Sequence, residues 1–460
     1  MEKRPQRSRT LRRVLLGAGR TGVALLALAV LAGTGYVWSV SRTFAAGLTT
    51  SSVLASRPGT PATAPSPAAR SYTALLVGLD SRTDAQGEPL PPDLLARIHA
   101  GDDGGELHTD TIMLVRVPAD PRSPVVTVSF PRDSYVPLAD GSGRHKINSA
   151  YGRAYRAEEE RLEAQGVTGA ELDRRSREAG RANLVATVEA VSATTVDHYA
   201  ELNLAGFVEL TSTLGGVDVC LNQPVDDRAY SGVDLPAGPQ TVSGAAALAF
   251  VRQRHGLEGG DLDRITRQQA FLAGLAHRVL AAGTLADPAT VSDLLGVVSR
   301  HVVVDSGWDL RQVVGRLGGL AGGDVVFRTV PTIRPDLWTP VDGVAVEIDD
   351  DQVRDFVHTV LFTDARADGT APEAGTPGTA APAADDARTR ADATTARAAT
   401  TTAPPTTTMT ATGPPATTPT AVPATSPVPP AGAPTTAVAP LDDPWQHRPV
   451  IDAAAVPCVN

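Results

Sequence analysis

The chain has 460 residues, 51 acidic against 41 basic, and a formal net charge of −10 at pH 7. That balance argues against a nucleic-acid binder, which needs a basic face. Only two cysteines are present, Cys220 and Cys458, so a cysteine-built metal site is excluded. The length would allow two or three domains, but biased segments remove much of it from the folded count, and one large domain is expected.

Residues 1–20 are basic, with Lys3, Arg4, Arg7, Arg9, Arg12 and Arg13 against the single acid Glu2. Residues 21–40 carry no charge and are rich in Ala, Leu and Val. An apolar run of about twenty residues spans a bilayer core, and its basic flank stays cytoplasmic. The expectation is a single-pass anchor at 21–40, with residues 1–20 in the cytoplasm and the rest outside. A cleaved signal peptide is the alternative, and Arg12-Arg13-Val14-Leu15-Leu16 bears a faint likeness to a twin-arginine signal. Residues 41–71 read as a flexible spacer, and the Ala/Thr/Pro-dominated 366–441 as a disordered tail. A C-terminal segment, 442–460, follows and carries Cys458.

Between them, 72–365 reads as one α/β domain with a central mixed sheet covered by helices. Ala74–Leu79 is a continuous apolar run ending in Asp80, as expected of a strand buried on both faces. Thr111–Val117 and Val125–Phe130 are further strands, the last stopped by Pro131. Arg153–Ala179, dense in Glu, Arg and Ala, predicts a solvated helical hairpin broken near Gly166 and carrying no chemistry. Asn183–Thr194 predicts a helix, Tyr199–Leu204 a strand, Ala205–Leu214 a helix closed by Gly215-Gly216, and Val217–Leu221 a strand. Ser243 is placed to cap an Ala-rich helix into Phe250. A helix over Arg264–Leu280, a strand over Val325–Val330 and a helix over Val353–Phe362 complete the pattern.

Arg252, Arg254, Arg264 and Arg267 fall within sixteen positions. On a helix Arg252 and Arg254 would point about 200° apart, so they share a face only on extended backbone. Arg264 and Arg267 share one only on a helix. A chain that runs extended through the first pair and helical through the second would bring all four guanidinium groups to one pocket. Such a cluster suits a diphosphate, because each planar fork makes bidentate, permanently charged bonds to phosphate oxygens. From spacing alone, a solvated surface is the plainer reading.

Asp80 ends one strand and Asp110 begins the next, so they meet only if the two strands are antiparallel neighbours. Two carboxylates with few other ligands are what Mg²⁺ accepts. As isolated residues, each reads more plainly as a turn former. In Phe130-Pro131-Arg132-Asp133-Ser134, Arg132 could join the anion site and Asp133 orient it, with a simple strand-to-loop turn as the alternative. Lys146 is a candidate phosphate contact. His145, His198 and His255 have no metal-ligand spacing and read as surface or supporting residues.

Seven motifs carry a resemblance: Gly78-Leu79-Asp80-Ser81-Arg82, Thr109-Asp110-Thr111-Ile112-Met113, Ser129-Phe130-Pro131-Arg132-Asp133-Ser134, Lys146-Ile147-Asn148-Ser149-Ala150-Tyr151, Leu214-Gly215-Gly216-Val217, Ala249-Phe250-Val251-Arg252-Gln253-Arg254 and Arg264-Ile265-Thr266-Arg267-Gln268-Gln269. In this order, from Tyr72 to Leu280, they resemble the LytR-CpsA-Psr family of cell-wall glycopolymer ligases. Each motif alone is weak; the ordered set is specific. The resemblance implies an extracytoplasmic α/β phosphotransferase that moves a glycopolymer from a polyprenyl-pyrophosphate carrier to peptidoglycan. It implies Mg²⁺ (or Mn²⁺) held by Asp80 and Asp110. Arg82, Arg132, Arg252, Arg254, Arg264 and Arg267, with Lys146 and Gln268, would surround the pyrophosphate. Asp80, Asp110, Arg132, Arg252 and Arg254 would be the catalytic set. The chain departs from the family in having Asp263 where Gly is frequent, in a lengthened Asp80–Asp110 interval and in an apparent insertion at Arg153–Ala179. Two other readings use the same residues: a lipid-carrier pyrophosphatase with water as acceptor, and a non-catalytic wall-binding protein. Outside the membrane, Cys220 and Cys458 could form a disulfide returning the tail to the domain, or remain two thiols.

Overall fold

The computed structural model describes residues 47–55, 71–100, 107–120, 122–253, 255–257, 260–280, 287–308, 325–363, 451–452 and 456–460. The expected anchor at 21–40, the cytoplasmic 1–20, the tail at 366–441 and Arg254 lie outside them. Among the described residues no helix is long and apolar enough to cross a membrane.

The centre is an eight-stranded mixed sheet in the order Thr49–Ser51, Val302–Asp305, His198–Asn203, Tyr72–Asp80, His108–Val117, Val125–Phe130, Val325–Thr329, Ile451–Asp452. Tyr72–Asp80 runs parallel to His198–Asn203 and antiparallel to His108–Val117, which is itself antiparallel to Val125–Phe130. Alternate residues of the central strands go to opposite layers. Leu75, Val77, Leu79, Ile112, Leu114 and Val128 pack with Tyr151, Leu184, Val188, Val353 and Val357, which come from the helices Ser149–Glu163, Gly169–Ser192 and Asp350–His358. The opposite layer holds a second core of Val217, Leu248, Phe250, Phe271 and Phe327 under the helices Leu204–Thr213, Gly244–Arg252 and Asp261–Leu280.

Three segments differ from the sequence-based expectation. Thr49–Ser51, inside the expected spacer, pairs in parallel with Val303–Asp305 as an edge strand. Polar composition hid it, because its side chains bond rather than pack: the Ser51 hydroxyl donates to Glu178 at 2.9 Å. The expected solvated hairpin is two helices broken at Gly166, but the second runs unbroken through Ser192 and buries Arg177 and Arg181. Arg181 donates to both oxygens of buried Glu201 at 3.0 and 3.1 Å, and Tyr199 adds its hydroxyl at 2.8 Å. A helix face that buries charge through pairing has no apolar stripe, so it reads as solvated. Third, the helix ending near Phe250 continues to Arg252, so Val251 and Arg252 are helical rather than extended.

The helix Leu204–Thr213 shows why its ends fall where they do. Asn203 caps the start, its side-chain oxygen accepting the Gly206 N–H at 2.8 Å. At the other end Gly216 N–H donates to Thr211 O at 2.9 Å and Gly215 N–H to Ser212 O at 3.0 Å, the paired return bonds of a Schellman termination. Both glycines have positive φ, +70° and +99°, and a Cβ on Gly216 would lie 2.6 Å from Thr241 Cγ2. Ser243 holds the N-cap position of the next helix without a side-chain bond of its own. The Thr211 hydroxyl instead accepts the Gly244 N–H at 2.9 Å.

The C-terminal residues return to the domain. Cys458–Val459 lies parallel to Cys220-Leu221, and Cys220 and Cys458 are joined by a disulfide across 238 positions.

Candidate active site

The antiparallel pairing of Tyr72–Asp80 with His108–Val117 satisfies the condition under which Asp80 and Asp110 meet. Gly78 faces Thr111 and Leu79 faces Thr109, so Asp110 is the extra residue of a bulge in the register. A bulge re-aims the side chain it carries, and here both carboxylates reach the rim of one cavity. The cavity, of about 230 Å³, has Asp80, Asp110, Arg252, Arg264 and Gln268 among its lining residues. Its body is apolar, walled by Leu76, Met113, Phe207, Leu248, Phe271 and Leu272.

Each carboxylate is held by arginine. Asp80 pairs with Arg82 through one oxygen, and Arg252 stands 3.7 Å from the other. Arg252 is the last residue of its helix and donates to Ile98 O at 3.1 Å, while Arg82 donates to Ala100 O. These two carbonyls fix the guanidinium groups in place. Asp110 pairs with Arg132. The loop carrying Arg132 is pinned by backbone bonds, Asn148 N to Arg132 O at 3.0 Å and Ile147 N to Ser134 O at 2.9 Å.

Burial pushes the Asp110 carboxyl up, but Arg132, with Arg264 and Arg252, outweighs it and holds the group at about 2. Burial likewise works against the Arg132 charge, but Asp110, Asp133 and Asp261 more than compensate and raise its pKa. Asp110 is therefore depressed in the folded state relative to its usual 3.8. Its contribution to stability is present above about pH 4 and lost as pH falls through about 2, a difference of about 2 kcal/mol. Urea midpoints of the wild type should fall between pH 4 and pH 2 more steeply than those of Asp110→Asn. Superimposable pH profiles would contradict this assignment.

The other expected site residues divide. Arg264 is buried on the first turns of Asp261–Leu280, lines the cavity and pairs with Asp261 at 2.5 Å. Gln268, one turn on, lines it too and donates to Val251 O at 3.4 Å. Lys146 reaches Asp133 at 3.5 Å rather than the cavity wall. Arg267, although helical with Arg264, is turned away from the cavity. Its buried guanidinium donates to the Gln253 side-chain oxygen and to Asn460 O and lies 5.2 Å over the Phe250 ring. Burial lowers its pKa to about 10, against the opposing pull of Asp263 and Asp227. The four guanidinium groups thus do not form one cluster: Arg252 and Arg264 share the cavity and Arg267 does not.

Sequence reasoning missed Asp261, which is buried between two cations, 2.5 Å from Arg264 and 3.7 Å from Arg132. Its signal was present: an acid three residues before an arginine in the first turn of a helix shares that arginine's face. It also missed the Ile98 and Ala100 carbonyls, which no side-chain pattern marks.

Among the described residues no group of three or more His, Cys, Asp or Glu side chains is placed to hold a metal ion. Two carboxylates at one rim do offer the hard oxygen donors that Mg²⁺ takes when water and phosphate oxygens complete its shell. The whole arrangement suits a ligand with an anionic head and an apolar body.

Comparison with known proteins gives a family match and several relatives. The model of the LytR_cpsA_psr family matches residues 45–332. The cell wall biosynthesis protein LcpA of Corynebacterium glutamicum is 47% identical over 288 residues, 62% of this chain and 55% of that protein. The polyisoprenyl-teichoic acid–peptidoglycan teichoic acid transferase TagU of Enterococcus faecalis is 28% identical over 219 residues, 47% of this chain and 61% of that one. The solved LytR-Csp2A-Psr enzyme from Actinomyces oris superposes with a TM-score of 0.42 at 21% identity, over 65% of this chain and 92% of its own. The chain spans about half the length of the Corynebacterium relative. With a family match that covers well over half of its residues, this chain belongs to the LytR_cpsA_psr family.

Proposed function

We propose that this chain is a phosphotransferase that moves a glycopolymer from a polyprenyl-pyrophosphate carrier to peptidoglycan, outside the membrane and tethered to it by residues 21–40. The observation that carries the reading is the cavity itself: two carboxylates and paired arginines at the rim of an apolar chamber. An apolar chamber suits a lipid chain, and a cationic rim suits the diphosphate next to it. The relative named as a polyisoprenyl-teichoic acid–peptidoglycan teichoic acid transferase supports the same class of donor and acceptor, and the one named as a cell wall biosynthesis protein supports the same setting.

In this reading a sugar hydroxyl of peptidoglycan attacks the phosphorus nearest the glycan. The new bond is a phosphodiester, the bond broken is the phosphoanhydride, and polyprenyl phosphate leaves. Arg252 and Arg264, on two different helices, bind the diphosphate oxygens and fix its line of approach. Arg132 holds Asp110 ionised and oriented, and Arg82 does the same positional work for Asp80. One of the two carboxylates takes the hydroxyl proton. Mg²⁺ (or Mn²⁺), held by Asp80 and Asp110, would supply Lewis-acid stabilisation of charge on the transferring and leaving oxygens.

The test incubates the purified chain with lipid-linked glycan, with and without peptidoglycan oligomer. Transfer gives a glycan–peptidoglycan adduct only when both are present. Release of glycan phosphate at the same rate in either case would establish a pyrophosphatase with water as acceptor.

A further inference from the structure

Arg267 belongs to the helix that carries Arg264 and Gln268, yet its guanidinium is buried against a different part of the molecule. Three contacts hold it: the side-chain oxygen of Gln253, the backbone oxygen of Asn460 and the face of the Phe250 ring at 5.2 Å. Phe250 and Gln253 bracket Arg252, the residue that reaches Asp80. Gln253 also closes the helix Gly244–Arg252, its N–H donating to Ala249 O at 3.1 Å, and its side-chain nitrogen donates to His255 O at 2.9 Å. Arg267 is thus a rivet between the helix end that presents Arg252 and the C-terminal residues.

Those C-terminal residues have few means of staying in place by themselves. Cys458–Val459 contributes two residues of pairing to the Val217–Leu221 strand, far short of what makes a strand independently stable. Asn222 adds a backbone bond to Val459 O at 2.9 Å and a side-chain bond to Asn460 at 3.0 Å. The covalent fastening is the Cys220–Cys458 disulfide, one residue before the first of these bonds and two before Asn460.

We propose that the disulfide-fastened C-terminal strap, acting through Asn460, Arg267 and Gln253, positions Arg252 for its anionic ligand, which makes Arg267 a positioning residue rather than a ligand contact. The inference rests on the reading of the cavity rim as a pyrophosphate site. A dithiol donates two electrons and two protons to turn Cys220–Cys458 into two thiols and itself closes to a disulfide. The strap then keeps its short pairing and the Asn222 bonds but no covalent tie; its end loosens, Arg267 loses the Asn460 oxygen, and the Gln253 end of the helix is held on one side alone. Loss of one charge-assisted bond of this kind corresponds to about a tenfold change in affinity.

The experiment measures inorganic pyrophosphate binding to the full chain by titration calorimetry in Mg²⁺ buffer. Oxidised wild type should bind, and dithiothreitol should weaken binding about tenfold. A variant with both Cys220→Ser and Cys458→Ser should bind with the weakened affinity and not respond to dithiothreitol. Arg267→Gln, with the disulfide intact, should be weakened similarly, and Arg267→Lys, which keeps the charge and the ring contact, should recover part of the loss. Circular dichroism at each condition separates loss of the strap from loss of the fold, and the Arg267 pair is informative even if the reduced chain unfolds. Unchanged affinity in folded reduced protein, or in Arg267→Gln, would overturn the positioning role while leaving the pyrophosphate site standing. Absence of binding by oxidised wild type would overturn the site itself and the inference with it.

Discussion

Under the proposed function, Arg252→Ala is expected to lower glycopolymer transfer by about 10³-fold and to leave the fold intact. The magnitude follows from what an arginine contributes when it meets charge that develops on a phosphoryl group in a water-poor site, roughly 10³–10⁵ in rate. The lower end applies because Arg264 shares the cavity and retains part of the field. The fold survives because Arg252 is the last residue of its helix and its side chain is partly exposed, with one bond to Ile98 O and a 3.7 Å approach to Asp80. Asp80 keeps Arg82 when Arg252 is removed, so no carboxylate is stranded. Arg252→Lys keeps a point charge but not the fork and should recover only part of the rate. Transfer rates and thermal melts of the three proteins check this together. Full ligase activity in Arg252→Ala would remove the residue from the anion site.

The second large effect is at Asp110. Asp110→Asn preserves shape and removes the charge that Arg132 holds ionised. Transfer should fall about 10³-fold, in line with the loss of an electrostatic element at the reacting centre, and Mn²⁺ binding followed by electron paramagnetic resonance should weaken with it. Stability at neutral pH should fall by about 2 kcal/mol, the contribution of the depressed carboxyl. Arg132 retains Asp133 and Asp261 at 3.8 and 3.7 Å, so the loop should stay in place. Asp80→Asn serves as the paired comparison, because Asp80 is bound by other arginines. Variants of both aspartates that transfer at the wild-type rate would remove the two carboxylates from the catalytic set, whereas a wild type that gives no adduct and shows no Mg²⁺ dependence would favour a non-catalytic wall-binding role for the domain.

Much of the sheet and its layers was legible because apolar runs such as Ala74–Leu79 and Val125–Phe130 are buried on both faces and carry no competing signal. The antiparallel pairing that brings Asp80 to Asp110 could be stated only as a condition, since register depends on contacts between strands. The bulge at Asp110 left no mark in the sequence at all. The charged helix through Arg177 and Arg181 misled for a physical reason: pairing with Glu201 buries it without hydrophobic periodicity. Arg252 and Arg267 show the limit of spacing arguments. Arg267 shares its helix with Arg264, yet its turn toward Gln253 took its guanidinium out of the cavity that Arg252 and Arg264 share. Edge pieces such as Thr49–Ser51 and Ile451–Asp452 were invisible because short strands owe their existence to the neighbours they join.

In the proposed function, one site, made where the Tyr72–Asp80 and His108–Val117 strands meet two helix ends, binds a divalent ion and a lipid diphosphate together. A crystal of the domain with Mn²⁺ and farnesyl pyrophosphate tests it most directly. The expected result is an anomalous manganese peak between Asp80 and Asp110, diphosphate oxygens within hydrogen-bond distance of Arg252 and Arg264, and the isoprenoid chain among Leu76, Met113, Leu248 and Phe271. A diphosphate bound elsewhere, or a manganese peak away from both aspartates, would contradict it.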